Sequence, residues 1–124
     1  MIGLTFDTGA LIALERRHPR MKDIFDRAIA SDQPITVPAD VVGEWWRGRT
    51  DLRVGILASV AVESLTEALA KAAGEALAVV RGATLVDAVV MASAASRGDL
   101  VYTSDVDDLE ALRRHFPTVR VLSV

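Results

Sequence analysis

The sequence predicts an α/β fold, a three-layer α/β/α sandwich with a mostly parallel central sheet of four to five strands. Short runs that are apolar throughout, without polar alternation, are typical of strands in a parallel sheet covered on both faces. Helical segments separate these runs, and such alternation places helices on both sides of the sheet. The 124 residues have the length of one domain, so residues 1–124 are expected to form a single unit.

The strands are predicted from four short apolar runs and one weaker candidate. The four runs lie at residues 3–6, 35–37, 100–103 and 119–122. The weaker candidate lies at residues 60–65. In chain order the elements read strand, helices, strand, helices, strand, two helices, strand, helix, strand, which favours a parallel sheet.

The helices are predicted from apolar residues at helical spacing and from residues that start or stop a helix. Pro38 suits a helix start, and residues 64–67 match a capping box that opens an Ala-rich helix. Gly98 and Pro117 each follow the last residues of a helix. The predicted helices span residues 8–17, 20–30, 39–49, 51–58, 64–80, 84–97 and 107–116.

Composition excludes several classes of protein. Hydrophobic residues make up 51% of the chain and charged residues 25%, which indicates a packed core rather than disorder. The absence of cysteine rules out a disulfide scaffold and a thiolate metal site, and it fits a reducing compartment. Asp7 interrupts the first apolar run before a signal-peptide core could form. We therefore expect a cytoplasmic protein without a membrane partner.

Acidic residues stand where a parallel sheet gathers ligands. Asp7 follows the first predicted strand, and Asp105 follows the fourth. The carboxyl ends of parallel strands share one edge, and ligand crevices form there. Glu44 and Asp87 lie in otherwise apolar or small-residue helical stretches, where a lone carboxylate costs several kcal/mol unless it is paired or bound to a metal. Both helices can face the strand ends.

Four carboxylates in one crevice predict a divalent cation and hydrolytic chemistry. Oxygen ligands without cysteine or a histidine pair suit Mg²⁺ or Mn²⁺, and such ions activate water for phosphodiester hydrolysis. Structural roles compete with this interpretation. Asp7 and Asp87 could complement helix dipoles. Glu44 could pair with an arginine three or five residues further along, and Asp105 could be a helix N-cap.

Four segments together resemble the PIN-domain nucleases, specifically the VapC-type toxins. They are FDTGAL at 6–11, VGEWWRG at 42–48, LVDA at 85–88 and TSDVDDL at 103–109. The resemblance covers nearly the whole chain, with the four segments in the family's order. It implies a PIN-like fold, Mg²⁺- or Mn²⁺-dependent endoribonuclease activity as the toxin of a toxin–antitoxin pair, a cognate antitoxin partner and a homodimer.

Carried over by position, the resemblance assigns the catalytic and metal-binding roles to Asp7, Glu44, Asp87 and Asp105. The chain departs from the family in two places. Many members have serine where this chain has Gly9, so one hydroxyl near the first acid is absent. The last segment also differs from the common pattern, which leaves open whether Asp105, Asp108 or both complete the site.

The charge of the chain does not decide whether RNA is the partner. The formal net charge is -3, and setting aside the four candidate carboxylates changes it to +1. Two clusters of arginine could contact RNA phosphates or a partner protein. They are Arg16, Arg17 and Arg20, and Arg47, Arg49 and Arg53.

Two other functions compete with the nuclease. A receiver-like phosphoacceptor domain has similar size and α/β alternation, but it needs two acids after the first strand and a lysine after the last. This chain has one acid there, and Lys22 and Lys71 lie in helical segments. A catalytically silent PIN-fold binding subunit is the other alternative.

Overall fold

Five parallel strands form one sheet in a computed structural model that describes all 124 residues. In chain order they are β1 (Leu4–Phe6), β2 (Ile35–Pro38), β3 (Ala61–Glu63), β4 (Leu100–Thr103) and β5 (Arg120–Ser123). Their order across the sheet is β3-β2-β1-β4-β5, and every neighbouring pair is parallel. The weak candidate at residues 60–65 is therefore a true strand, β3, at one edge of the sheet.

Seven helices connect the strands and cover the sheet. They are α1 (Thr8–Glu15), α2 (Pro19–Ala30), α3 (Ala39–Trp45), α4 (Asp51–Ala58), α5 (Glu67–Val79), α6 (Leu85–Arg97) and α7 (Val106–Leu112). Right-handed crossovers place α1 to α4 on one face and α5 to α7 on the other. Contacts of α1 with α2 and α3, and of α6 with α5 and α7, agree with this arrangement. The predicted three-layer sandwich is confirmed.

The strand order fixes where a ligand crevice forms. The first three strands run outward from β1 in one direction, and β4 then begins on the other side of β1. The two connections leaving β1 and β4 diverge, which opens a crevice at the carboxyl ends of these strands. Receiver domains have the order 2-1-3-4-5, so the topology of this chain argues against the receiver-like alternative.

The core is densest around α6, which lies against the sheet. Ala88–Ala94 are all buried, and the small side chains among them allow α5 to pack closely on this helix. On the other face, Leu11 and Met21 are fully buried. None of the helices is long and apolar enough to cross a membrane.

Three helix boundaries differ from the sequence prediction by three residues or more. The helix predicted to reach residue 49 ends at Trp45, because Trp46 is extended and Gly48 has a φ of 109°. The capping box at residues 64–67 is wrong: Thr66 caps α5, and its hydroxyl accepts a hydrogen bond from the Leu69 N–H at 3.2 Å. The last helix ends at Leu112 instead of residue 116, and a turn follows it.

Candidate active site

Asp7 lies at the junction of β1 and α1 and is almost completely buried, with 7% of its surface exposed. It is the N-cap of α1, where its Oδ1 accepts a hydrogen bond from the Ala10 N–H at 2.8 Å. Its Oδ2 accepts a hydrogen bond from the Thr103 hydroxyl. Burial raises the pKa of Asp7 against the lowering effect of these bonds, and the charge of Asp105 raises it further. The helix N-terminal role considered for Asp7 and a place in the crevice therefore coincide.

The loop after β4 brings Asp105 towards Asp7. Thr103 is fully buried, and its Oγ1 accepts a hydrogen bond from the Asp105 N–H at 2.9 Å. A single hydroxyl thus links the loop to the first acid. Asp105 occupies the N-cap position of α7 but makes no capping bond with its side chain, so the capping role considered for it is absent.

Gly9 and Ser104 meet between these two acids. A Cβ added at Gly9 would lie 2.0 Å from Oγ of Ser104 and 3.2 Å from its backbone nitrogen. A side chain at position 9 therefore cannot coexist with Ser104 as placed. The hydroxyl that is absent at position 9 has a counterpart in nearly the same space, supplied by the loop after β4.

Glu44 reaches the crevice from the end of α3. It is exposed, and its Oε1 accepts a hydrogen bond from the Thr8 hydroxyl at 2.6 Å. It forms no ion pair with Arg47 or Arg49. The competing interpretation of Glu44 as half of a local ion pair is therefore wrong, and Thr8, the neighbour of Asp7, positions it instead.

Asp87 interacts with the carboxylates of three other residues of the site. It lies in the first turn of α6 and is half-buried, and its N–H donates to Oγ1 of Thr84 at 3.2 Å. Burial raises the pKa of Asp87 to about 6, and the carboxylates of Asp7, Asp108 and Glu44 add to the increase. Three separate chain segments thus place negative charge near this side chain.

Asp108 interacts with both ends of the group. Its interaction with the Asp105 carboxyl group raises its pKa, and its own charge raises the pKa of Asp87. Asp105 therefore interacts with Asp7, whereas Asp108 interacts with Asp87. Asp105 and Asp108, between which the sequence did not decide, therefore both lie at the crevice.

Sequence reasoning missed a further acid, Asp40. It lies in the first turn of α3, four residues before Glu44, so the two share a helix face. Burial raises its pKa, and Glu44 adds to the increase. Its Oδ2 is buried without a hydrogen-bond partner. The spacing of four residues was a visible signal.

The donor set fits a hard divalent cation in its chemistry. The side chains of the crevice offer carboxylate and hydroxyl oxygens, which Mg²⁺ and Mn²⁺ prefer. Burial raises the pKa of Asp7 and Asp87, and repulsion between the carboxylates adds to the increase. No group of three or more acidic, histidine or cysteine side chains is gathered tightly enough to hold a metal ion in the described conformation. The carboxylates interact pairwise and do not form a finished coordination shell.

Comparison with known proteins identifies the fold. No family model matches the chain, and no curated protein matches it in sequence. A chain of DNA-bound VapBC from Salmonella typhimurium has a TM-score of 0.78 and 17% identity, with 99% of this chain and 98% of that chain covered. A chain of VapBC2 from Rickettsia felis, bound to a promoter DNA fragment, has a TM-score of 0.77 and 11% identity, with 100% and 99% covered.

A third solved structure is similar over nearly the same length. A chain of a toxin–antitoxin complex from Klebsiella pneumoniae has a TM-score of 0.67 and 16% identity, with 97% of this chain and 96% of that chain covered. The PIN-like fold that the four sequence segments implied is confirmed. At these identities, the similarity establishes the fold and leaves the chemistry to the residues of the crevice.

Proposed function

We propose that the protein is a Mg²⁺- or Mn²⁺-dependent endoribonuclease of the VapC type, acting as the toxin of a toxin–antitoxin pair. One observation carries the proposal. Burial, together with carboxylates from separate elements, raises the pKa of Asp87 at the carboxyl edge of the sheet, where the strand order opens a crevice. Such crowding of like charge costs stability, and a bound divalent cation removes the cost.

The cation would be held by Asp7, Glu44, Asp87 and Asp105. Asp108 interacts with Asp87 and would lie near the cation. When bound, the cation lowers the pKa of a water molecule and neutralises charge on the phosphate under attack. Thr103 orients the Asp7 carboxylate from one side and the Ala10 N–H orients it from the other. Thr8 holds Glu44. These contacts fix two acids before the substrate arrives, which reduces reorganisation during the reaction.

The comparisons support a partner as well as a reaction. The similar chains come from VapBC and toxin–antitoxin complexes, two of them bound to DNA. We infer that a cognate antitoxin binds this protein, that the protein forms a homodimer and that it acts on RNA in the cytoplasm. A short neighbouring reading frame that encodes a DNA-binding protein would support the antitoxin partner.

Cleavage by purified protein tests the proposal. We expect labelled RNA to be cut internally with Mg²⁺ or Mn²⁺ and to stay intact in EDTA. Asp7→Asn and Asp87→Asn should abolish cleavage; asparagine at position 7 can still cap α1. Asp32→Asn is a matched control, because Asp32 lies in a turn with a φ of 54°, a conformation that asparagine tolerates.

The silent binding subunit is the alternative outcome. Wild-type protein that leaves RNA intact and shows no heat of Mn²⁺ binding in isothermal titration would establish it. Cleavage at the wild-type rate by Asp7→Asn or Asp87→Asn would instead show that the catalytic residues are assigned wrongly.

A further inference from the structure

An arginine-rich cleft includes Glu44 in its lining and contains none of the other acids proposed to hold the cation. It has a volume of about 520 Å³. Eight residues line it: Thr8, Ile12, Glu15, Arg16, Glu44, Trp45, Arg47 and Arg53. Only two of them are hydrophobic, and Trp45 is buried, with 2% of its surface exposed. The cleft therefore suits a charged, hydrated occupant more than an apolar side chain.

Two of the charges in the cleft neutralise each other. Arg53 forms an ion pair with Glu15 at 2.9 Å and donates to the Gly48 carbonyl at 2.8 Å. The same carboxylate accepts a hydrogen bond from the indole nitrogen of Trp45 at 2.9 Å. This network holds Arg53, Glu15 and Trp45 in place. Because Arg53 and Glu15 neutralise each other, neither competes for a charged ligand of the cleft.

Arg16 and Arg47 are the free cations of the cleft. Both are exposed, and neither forms a hydrogen bond or an ion pair through its guanidinium group. Arg16 follows the last residue of α1 and Arg47 follows the C-cap of α3. Free guanidinium groups offer paired donors that match phosphate oxygens.

The cleft is continuous with the acids but extends away from them. Thr8, Ile12 and Glu15 lie on one face of α1, so the cleft follows this helix. Thr8 holds Glu44 at one end, and α1 rises about 10 Å from Thr8 to Glu15. A phosphate beside Arg16 is therefore a different phosphate from one held at the acids.

We propose that the cleft binds a backbone phosphate of single-stranded RNA next to the cleaved bond, through Arg16 and Arg47. This inference rests on the proposed ribonuclease function and adds to it a subsite for the flanking strand. An acidic segment of a partner protein would meet the same charges. Continuity of the cleft with Glu44 favours the RNA strand, because one polyanion spans both regions.

Binding without cleavage separates this proposal from the catalytic one. The probe is a short, fluorescein-labelled single-stranded RNA in EDTA, followed by fluorescence anisotropy at salt concentrations from about 50 to about 200 mM. Each lost phosphate contact reduces the slope of log affinity against log salt by about 0.7. For Arg16→Ala/Arg47→Ala we expect weaker binding and a slope smaller by about 0.7, the effect of losing the one phosphate that both arginines contact.

A charge-matched control excludes a general electrostatic effect. Arg114→Ala/Arg120→Ala removes the same charge from exposed positions outside the cleft, and we expect its salt slope to equal that of wild type. Circular dichroism and the thermal midpoint confirm folding of both variants. The expected slopes in a protein that cuts no RNA with Mg²⁺ or Mn²⁺ would support the subsite and contradict the nuclease.

Two results would overturn the proposal. One is an equal salt slope for the cleft variant and the control. The other is a cleft variant that binds RNA as tightly as wild type but no longer binds a glutamate-rich peptide that wild type binds. The occupant of the cleft would then be an acidic protein segment.

Discussion

Replacing Asp87 with asparagine should stabilise the metal-free protein while abolishing cleavage. The pKa of Asp87 is raised to about 6 by burial and by nearby carboxylates, against about 3.9 in an unfolded chain. The folded state therefore binds this proton more tightly, and stability falls as pH rises through this window. The full difference corresponds to about 3 kcal/mol. Solvent screening at a half-buried side chain reduces our expectation to about 1 kcal/mol.

Thermal unfolding of the metal-free protein measures this effect. At about pH 8 the penalty is complete, so we expect Asp87→Asn to melt about 3–5 °C above wild type. At about pH 4 wild-type Asp87 keeps its proton in the folded state, and the difference should largely vanish. Added MgCl₂ should raise the midpoint of wild type through ligand linkage and leave that of the variant nearly unchanged.

Asp32→Asn removes the same charge from an exposed turn, and we expect its free energy of unfolding to stay within about 0.5 kcal/mol of wild type at either pH. If Asp87→Asn were no more stable than wild type at about pH 8, neither burial nor the nearby carboxylates would destabilise the charged form of Asp87. The main support for a cation site would then be lost.

Three further substitutions test contacts around the site and the core. Gly9→Ala places a Cβ 2.0 Å from Oγ of Ser104 and 3.2 Å from its backbone nitrogen. The exposed hydroxyl can rotate away, so we expect a loss of only about 1 kcal/mol in urea unfolding. Adding Ser104→Gly should recover most of it, and no recovery would contradict the clash. Thr103→Val removes a buried hydrogen-bond donor to Asp7. We expect a loss of about 1–3 kcal/mol in the free energy of unfolding and a shift of the acidic limb of the pH–rate profile to higher pH. An acidic limb that does not move would show that Thr103 does not lower the pKa of the catalytic acid. Arg97→Met leaves two carboxylates without their cation; we expect a loss of about 3 kcal/mol in urea unfolding, and a loss below about 1 kcal/mol would show that water replaces the ion pair.

The fold was predictable because its signals are local and repeated. The strand at residues 100–103 and the helix at residues 51–58 have the bounds that the sequence predicts. The strand β3 gave a weak signal for a physical reason. It lies at the edge of the sheet, and Ala61 and Val62 are exposed, so it lacks the continuous burial that makes a run apolar throughout.

The positions of the acids were predictable, but the contacts that orient them were not. Asp7 and Asp105 follow strands, and strand ends meet at one edge of a parallel sheet whatever the side chains are. The bond from Thr8 to Glu44 joins residues 36 positions apart. The contact of Gly9 with Ser104 depends on how the loop after β4 folds over α1. Such pairs carry no periodic signal in a single sequence.

Capping and ligand binding are not competing roles in this crevice. Asp7 caps α1, and Asp87 lies in the first turn of α6, where the partial positive charge of a helix N-terminus offsets part of the cost of a buried carboxylate. That offset allows the two acids to approach although burial raises the pKa of each. Glu44 lacks it, because it lies near the C-terminal end of α3. Its carboxylate is positioned instead by the Thr8 hydroxyl. Thr8→Val should therefore lower the affinity for metal more than it lowers the free energy of unfolding. Titration calorimetry with Mn²⁺ measures the first quantity, and urea unfolding measures the second.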